Sequence, residues 1–179
     1  MACALTSGFT PKACKTVGGV KSFLIIEHAA VTAVTKTAGV VTAITKTSPF
    51  IFREYKQKAE VANYKQTASM DAKAGTYAFD IEASLEQSSL DQASATENFL
   101  LLKNTVMIVT KDNDGNFWLL GEEYGADVTT GTEDWGVALG DSRSYTLNFI
   151  AQEKFGPRPL ASVTYAGLST IFTPDVTPA

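Results

Sequence analysis

The sequence is poor in the residues that most often carry out chemistry. Its 179 residues include one histidine, His28, and two cysteines, Cys3 and Cys14. A disulfide between the cysteines would close only a small N-terminal loop, and a metal site would need two further ligands at a suitable spacing. No G-x-S-x-G motif occurs. We therefore expect free thiols, no cofactor, no bound metal and no enzymatic activity.

Long apolar runs and an excess of basic residues are also missing. No run approaches the roughly 18–20 apolar residues that a membrane span needs, and the N-terminus does not resemble a secretory signal. Fifteen Lys and Arg residues are outnumbered by nineteen Asp and Glu residues, for a net charge of -4. Proteins that grip nucleic acid usually carry a basic patch. We expect neither membrane insertion nor specific binding of nucleic acid.

The residues that are present predict one mainly β domain over 1–179, with mostly antiparallel strands and one helix. Hydrophobic residues make up 45% of the chain, which is enough to bury a core at this length. Threonine and valine are frequent, and both are β-branched, which favours strands. We divide the domain into an N-terminal segment, 1–48, a core, 49–165, and a C-terminal tail, 166–179.

The N-terminal segment contains a buried strand at 20–28 and then a near repeat. The two copies, AVTAVTKTAG at 30–39 and VVTAITKTSP at 40–49, predict a hairpin with its turn at Ala38-Gly39. The next stretch, 50–67, contains good helix formers but also aromatic residues that suit a sheet. We expect a long strand there.

Residues 76–87 alternate with the period of a half-buried strand, so we expect one apolar face and one acidic face. The apolar face comprises Tyr77, Phe79, Ile81, Ala83 and Leu85, and the acids opposite are Asp80, Glu82 and Glu86.

A helix is predicted at 88–104. Ser88 and Ser89 are candidate caps, and Asp91 lies near the start of the helix. The apolar positions at helical spacing are Leu90, Ala93, Phe99, Leu100 and Leu102.

The segment from 105 to 123 predicts a hairpin that turns at Asp112–Asn116. The D-N-D-G-N sequence partly matches a calcium-binding loop, but Phe117 occupies the position where that loop needs glycine. A turn capped by Asx side chains explains the same residues. Further strands are expected at 126–130, 144–152 and 162–168, and the residues from 173 onward are expected to fray.

The aromatic and acidic residues of the second half permit several interpretations. Trp118 lies in an apolar run and is expected in the core. Trp135, next to Glu133 and Asp134, is expected near the surface, either as an interface anchor or as a lid on a local cluster. Paired carboxylates could in principle serve acid–base catalysis, but acids spread through turns are usually only solvated.

The order of these elements, and two motifs, resemble the tail tube proteins of long-tailed bacteriophages, particularly phages of Bacteroidetes-type hosts. The resemblance covers about residues 50–165, and it departs from the family at Gly156-Pro157-Arg158-Pro159. The matching residues are Val106, Ile108, Val109, Asp112, Gly115, Trp118, Leu119, Leu120 and Gly121, followed by Gly136, Ala138, Leu139, Gly140, Asp141, Tyr145, Thr146, Leu147 and Phe149.

This resemblance implies an antiparallel β-sandwich or half-barrel with a flanking helix, and a ring of six copies that stacks into a hollow tube. The expected partners are further copies of the chain and other phage tail proteins, with DNA passing through without specific binding. Such a protein is made in the host cytoplasm and belongs to the virion. Asp80, Glu82 and Glu86 are then expected to line the bore, and Tyr124, Trp135 and Asp141 to contact neighbouring copies.

Two other kinds of function remain open from the residues. One is a different virion component, such as a tail terminator, an adaptor or a capsid decoration protein. The other is a carbohydrate-binding β module, which would use exposed aromatic and acidic side chains.

Overall fold

The strands dominate the computed structural model, which describes residues 18–57, 62–71, 73–74, 76–87, 92–138, 144–161, 168, 171–173 and 176–177. A single 3-10 turn lies at His28–Ala30, and the helix α1 spans Gln92–Lys103. The strands are β1 (Val20–Glu27), β2 (Val31–Thr37), β3 (Val40–Lys46), β4 (Phe52–Lys56), β5 (Asn63–Asp71), β6 (Thr76–Gln87), β7 (Val106–Asp112), β8 (Phe117–Leu120), β9 (Asp127–Asp134), β10 (Ser144–Glu153), β11 (Arg158–Pro159), β12 (Phe172–Thr173) and β13 (Val176–Thr177).

These strands form three sheets. The largest has the order β11-β8-β7-β1-β4-β13, the second has the order β5-β6-β10-β9, and the third has the order β12-β3-β2. Pairing is antiparallel except where the two-residue strands β12 and β13 run parallel to β3 and β4. The predicted mainly β, antiparallel fold with a flanking helix is confirmed.

Apolar side chains cover both faces of the six-stranded sheet, so the sheets pack in three layers. On one face, Phe23 and Ile108 pack against Leu85 and Leu147 of the four-stranded sheet. On the other face, a second cluster joins the six-stranded sheet to the three-stranded sheet and to the C-terminal residues; it includes Leu24, Val109, Phe52, Val41, Ile44, Leu168 and Phe172. Burying each such side chain stabilises the fold by about 1.5–3 kcal/mol.

The repeat at 30–49 forms the predicted hairpin. Strands β2 and β3 pair antiparallel, and the chain turns at Ala38 and Gly39, whose φ angles are 51° and 86°. Positive φ at both central residues is the geometry that suits a two-residue hairpin, because it matches the twist of the flanking strands.

The prediction of extended structure over 50–67 is confirmed, but the single long strand is wrong. The stretch contributes β4 to the six-stranded sheet and β5 to the four-stranded sheet, and residues 58–61 lie outside the described part of the chain. The hairpin that follows is therefore β5–β6, from Asn63 to Gln87, and not a hairpin that begins at residue 50.

The predicted apolar face of the helix is wrong. Phe99, Leu100 and Leu102 are exposed, whereas Leu101 and Asn98 are buried. Polar contacts orient the helix: the Tyr55 hydroxyl donates to Glu97 Oε1 at 2.8 Å, and Arg53 Nε lies 3.5 Å from the same oxygen. The predicted caps Ser88 and Ser89, with Leu90 and Asp91, lie outside the described residues.

The expectation that the chain frays from residue 173 is also wrong. Thr173 ends β12, and Val176–Thr177 forms β13 beside β4. The preceding residues Leu168, Ile171 and Phe172 are fully buried, so this end of the chain is part of the core. The strand predicted at 162–168 falls almost wholly outside the described residues.

Candidate functional site

The outer face of the four-stranded sheet carries the predicted acids. Strand β6 alternates as expected, with Ile81, Ala83 and Leu85 buried and Glu82 exposed. At the start of this strand the prediction of a buried apolar face is wrong: Tyr77 is exposed and Phe79 is only half-buried, because the core does not reach that far.

Cross-strand contacts hold the outer-face acids in a polar layer. Gln152 Nε2 of β10 donates to Asp80 Oδ1 at 3.0 Å, and Lys65 Nζ of β5 lies 3.9 Å from Glu82 Oε2. Glu86 anchors the far end, where its backbone N–H donates to Gln57 Oε1 at 2.9 Å. The remaining residues of this face on β9 and β10 are mostly polar; they include Thr130, Thr132, Thr146 and Asn148.

Both edges of this sheet have a strand neighbour on one side only. The edge strands are β5, with nine residues, and β9, with eight residues. An edge strand presents unpaired backbone N–H and C=O groups, and a long exposed edge is a template for pairing with another chain.

The predicted contact residues do not form one patch. Tyr124 and Trp135 are both largely exposed, but they lie before and after β9, at its opposite ends. Asp141 lies outside the described residues, so nothing can be said of its surroundings.

The turn at Asp112 is an Asx turn, as the sequence suggested. Asp112 Oδ1 accepts the backbone N–H of Asn116 at 2.7 Å, and Oδ2 accepts Trp118 Nε1 at 3.2 Å. Burial alone would raise the pKa of Asp112, but these hydrogen bonds hold it below its ordinary value. The carboxylate is thus committed to the turn.

A cleft of about 470 Å³ opens between β5 and the β7–β8 hairpin, and Trp118 lines it. The expectation that Trp118 belongs to the core is wrong, because it is half-buried and Phe117 takes the core position. Tyr64 also lines the cleft, and its buried hydroxyl has no hydrogen-bond partner in the structure. Burial raises the pKa of Tyr64. Sequence patterns could not have found this cleft, since its two walls come from separate sheets.

A second cavity, of about 360 Å³, contains a charged cluster that sequence reasoning missed. The Glu122 carboxylate bonds to Lys36 Nζ and lies 3.1 Å from Arg158 Nε. Glu153 ends β10 and is buried, and its carboxylate accepts the backbone N–H of Glu123 at 3.2 Å. These residues come from four distant parts of the chain, so no local spacing could signal them.

Gly121 sets the loop that connects this cluster to β9. Its φ is 71°, and a Cβ there would lie 3.0 Å from the Ala126 backbone nitrogen and 3.1 Å from the Val106 carbonyl oxygen. Only glycine fits without backbone movement. The loop then carries Tyr124 outward.

Chemically, these surfaces suit contacts more than catalysis. His28 Nε2 lies 3.2 Å from the Glu122 carbonyl oxygen, so the ring is placed against a loop. Among the residues that the structure describes, no cluster of three or more His, Cys, Asp or Glu side chains could hold a metal ion. Within the same residues, no helix is both long and apolar enough to span a membrane.

Comparison with known proteins adds no relative. No protein-family model matches the chain, and no curated protein is significantly similar to it in sequence. The outer face and open edges of the four-stranded sheet are therefore the features on which a function can be argued.

Proposed function

We propose that the chain is a structural virion protein whose copies close into rings, and that stacked rings form the tail tube of a long-tailed bacteriophage. The proposal depends on the four-stranded sheet. One face of that sheet is packed into the core, the other is polar and acidic, and both edges are open. A sheet of this kind is suited to become one segment of a continuous wall.

Ring closure would use the two open edges. Strand β5 of one copy would pair with β9 of the next, which satisfies the backbone groups of both edges. Such a contact joins two different surfaces, so it repeats around a ring and closes when the rotation permits. Charge favours this pairing, because β5 carries Lys65 near its middle whereas β9 begins at Asp127 and ends at Asp134.

The outer face of the sheet would then line the bore. Asp80, Glu82 and Glu86 would face DNA as it leaves the capsid, and like charges repel. A negative, hydroxyl-rich wall lets the polymer slide, whereas a basic wall would retain it. Other tail proteins would be the remaining partners.

Negative-stain electron microscopy of the purified protein, across a concentration series, tests the proposal. We expect hollow tubes, or rings that stack as concentration rises. Isolated closed rings that never stack would indicate a terminator, an adaptor or a decoration protein. A monomer at every concentration, with no assembly after addition of preformed tails, would contradict the proposal.

The cleft beside Trp118 favours a second candidate, a carbohydrate-binding module. Trp118 offers an aromatic face on which a sugar ring can stack, and Asn63, Gln66 and the Tyr64 hydroxyl offer hydrogen-bonding groups. A glycan-array screen checks this candidate, with Trp118→Ala as the control. Binding that this substitution abolishes would support it.

A further inference from the structure

The β5–β6 hairpin extends beyond the rest of its sheet. Strand β10 pairs with β6 only as far as Phe79, opposite Glu153, whereas β5 and β6 continue to pair through Met70–Tyr77 and Asp71–Thr76. The extension is a two-stranded ribbon with no third strand, and such ribbons are marginally stable alone.

This hairpin tip exposes apolar side chains to solvent. Met70 and Tyr77 face each other across the ribbon and are 76% and 55% exposed. The Tyr77 ring makes an edge-to-face contact with Phe79, with ring centroids 6.2 Å apart. Exposed aromatic and methionine side chains on a projecting element are typical of a surface that a partner covers.

A second apolar patch lies at the opposite end of the same sheet. Asp134, the last residue of β9, pairs with Ser144, which starts β10 beside Gln87 at the far end of β6. Trp135 and Val137 follow directly, and their side chains are 64% and fully exposed. With about 3.3 Å per residue along β6, the two patches are separated by roughly 40 Å, the length of the sheet.

We propose that these two patches bind each other between successive rings: the hairpin tip of one copy packs on Trp135 and Val137 of a copy in the next ring. The inference rests on the proposed function. A tube grows by repeating one contact between unlike surfaces, and the two ends of one sheet meet whenever rings stack along the strands. Charge agrees, because Lys73 lies at the tip and the Asp134 carboxylate lies beside Trp135.

The proposed contact predicts that stacking and ring closure separate. The tip and Trp135 lie beyond the paired parts of β5 and β9, so removing them leaves the ring-forming edges intact. Exposed aromatic anchors carry much of the binding free energy in interfaces. Removing them from either end should raise the concentration needed for stacking by roughly tenfold or more.

The experiment uses a tip variant, Met70→Ser with Tyr77→Ser, and a far-end variant, Trp135→Ser with Val137→Ser. The control is Leu102→Ser, which removes a side chain that is 47% exposed on α1, away from both patches. Electron microscopy and sedimentation velocity measure rings and stacks, and the thermal unfolding midpoint confirms that each variant is folded.

We expect tubes from the wild type and the control, and single rings from each variant. Preformed rings of the two variants, when mixed, should form stacks of two rings and no longer, because the mixture has one intact tip and one intact far end. Long tubes from either variant at the wild-type concentration, or no pairing in the mixture, would overturn the inference alone. A wild type that forms neither rings nor tubes would instead overturn the proposed function, and the inference with it.

Discussion

At the scale of single residues, surroundings give two carboxylates opposite acid strengths. Asp112 lies in a turn whose N–H groups stabilise its charge, so its pKa is lowered. Glu153 is buried at the end of β10, and burial raises its pKa; the charges of Glu122 and Glu123 act in the same direction, and the backbone N–H groups of Glu123 and Tyr124 oppose them. The two carboxyl groups should therefore respond to pH in opposite ways.

The substitution Glu153→Gln should flatten the pH dependence of stability. Because the pKa of Glu153 is raised in the folded protein, its favourable contribution is fully present below the ordinary value of 4.5 and is lost as pH rises through the folded value. The variant is neutral throughout, and its amide oxygen can still accept from Glu123. Urea unfolding of both proteins from pH 4 to pH 8 should show the variant gaining stability relative to the wild type. A constant difference would mean that Glu153 has an ordinary pKa.

At the scale of elements, α1 shows that contacts rather than periodicity orient a helix. Its two central leucines differ sharply: Leu101 is 6% exposed and belongs to the core cluster, whereas Leu100 is 46% exposed. Glu97 fixes this orientation through Tyr55 and Arg53 of β4.

Neighbouring alanine substitutions test the orientation of α1. Leu101→Ala should lower the free energy of unfolding by about 2–4 kcal/mol, because it leaves a cavity in the core. Leu100→Ala changes the same side chain one residue away and should cost at most about 0.5–1 kcal/mol. Chemical denaturation at pH 7 measures both. Equal losses would show that the helix is rotated relative to the orientation described here.

At the scale of the whole molecule, charge is distributed by surface. The outer face of the four-stranded sheet has acids and hydroxyl groups, while Lys36 and Arg158 are engaged by Glu122 on another side. In a ring built on this sheet, the acidic face would be repeated in every copy, so a small charge on one chain would become a strongly negative wall.

The triple variant Asp80→Asn, Glu82→Gln, Glu86→Gln tests that wall. These are exposed or half-buried polar positions, so we expect assembly to persist with little loss of stability. Neutral walls should retain DNA that wild-type tubes release, and added salt should weaken the retention. Co-sedimentation of assembled tubes with short duplex DNA, at low and moderate salt, measures the effect. Asp114→Asn, which removes an acid from the β7–β8 turn outside this face, is the matched control, and equal DNA binding by both variants would contradict the assignment.

The local pattern of the chain was sufficient for much of this molecule. Alternation at 76–87 and 144–152 identified the strands and which of their residues face the core at 81–85, since neighbouring side chains of a strand point to opposite faces. Turn residues located the hairpins at Ala38-Gly39 and Asp112–Asn116, because these positions need positive φ or side-chain caps. Composition identified the mainly β class.

Only the tertiary structure decided the rest. The pattern at 50–67 could not reveal that the chain leaves one sheet and joins another, and the spacing in α1 could not reveal that Leu101, not Leu100, would be buried. The Glu122–Arg158 cluster and the Trp118 cleft join residues that are far apart in sequence. Local propensity acts over a few residues, whereas burial and ion pairing depend on which elements meet, and that is determined by the packing of the whole chain.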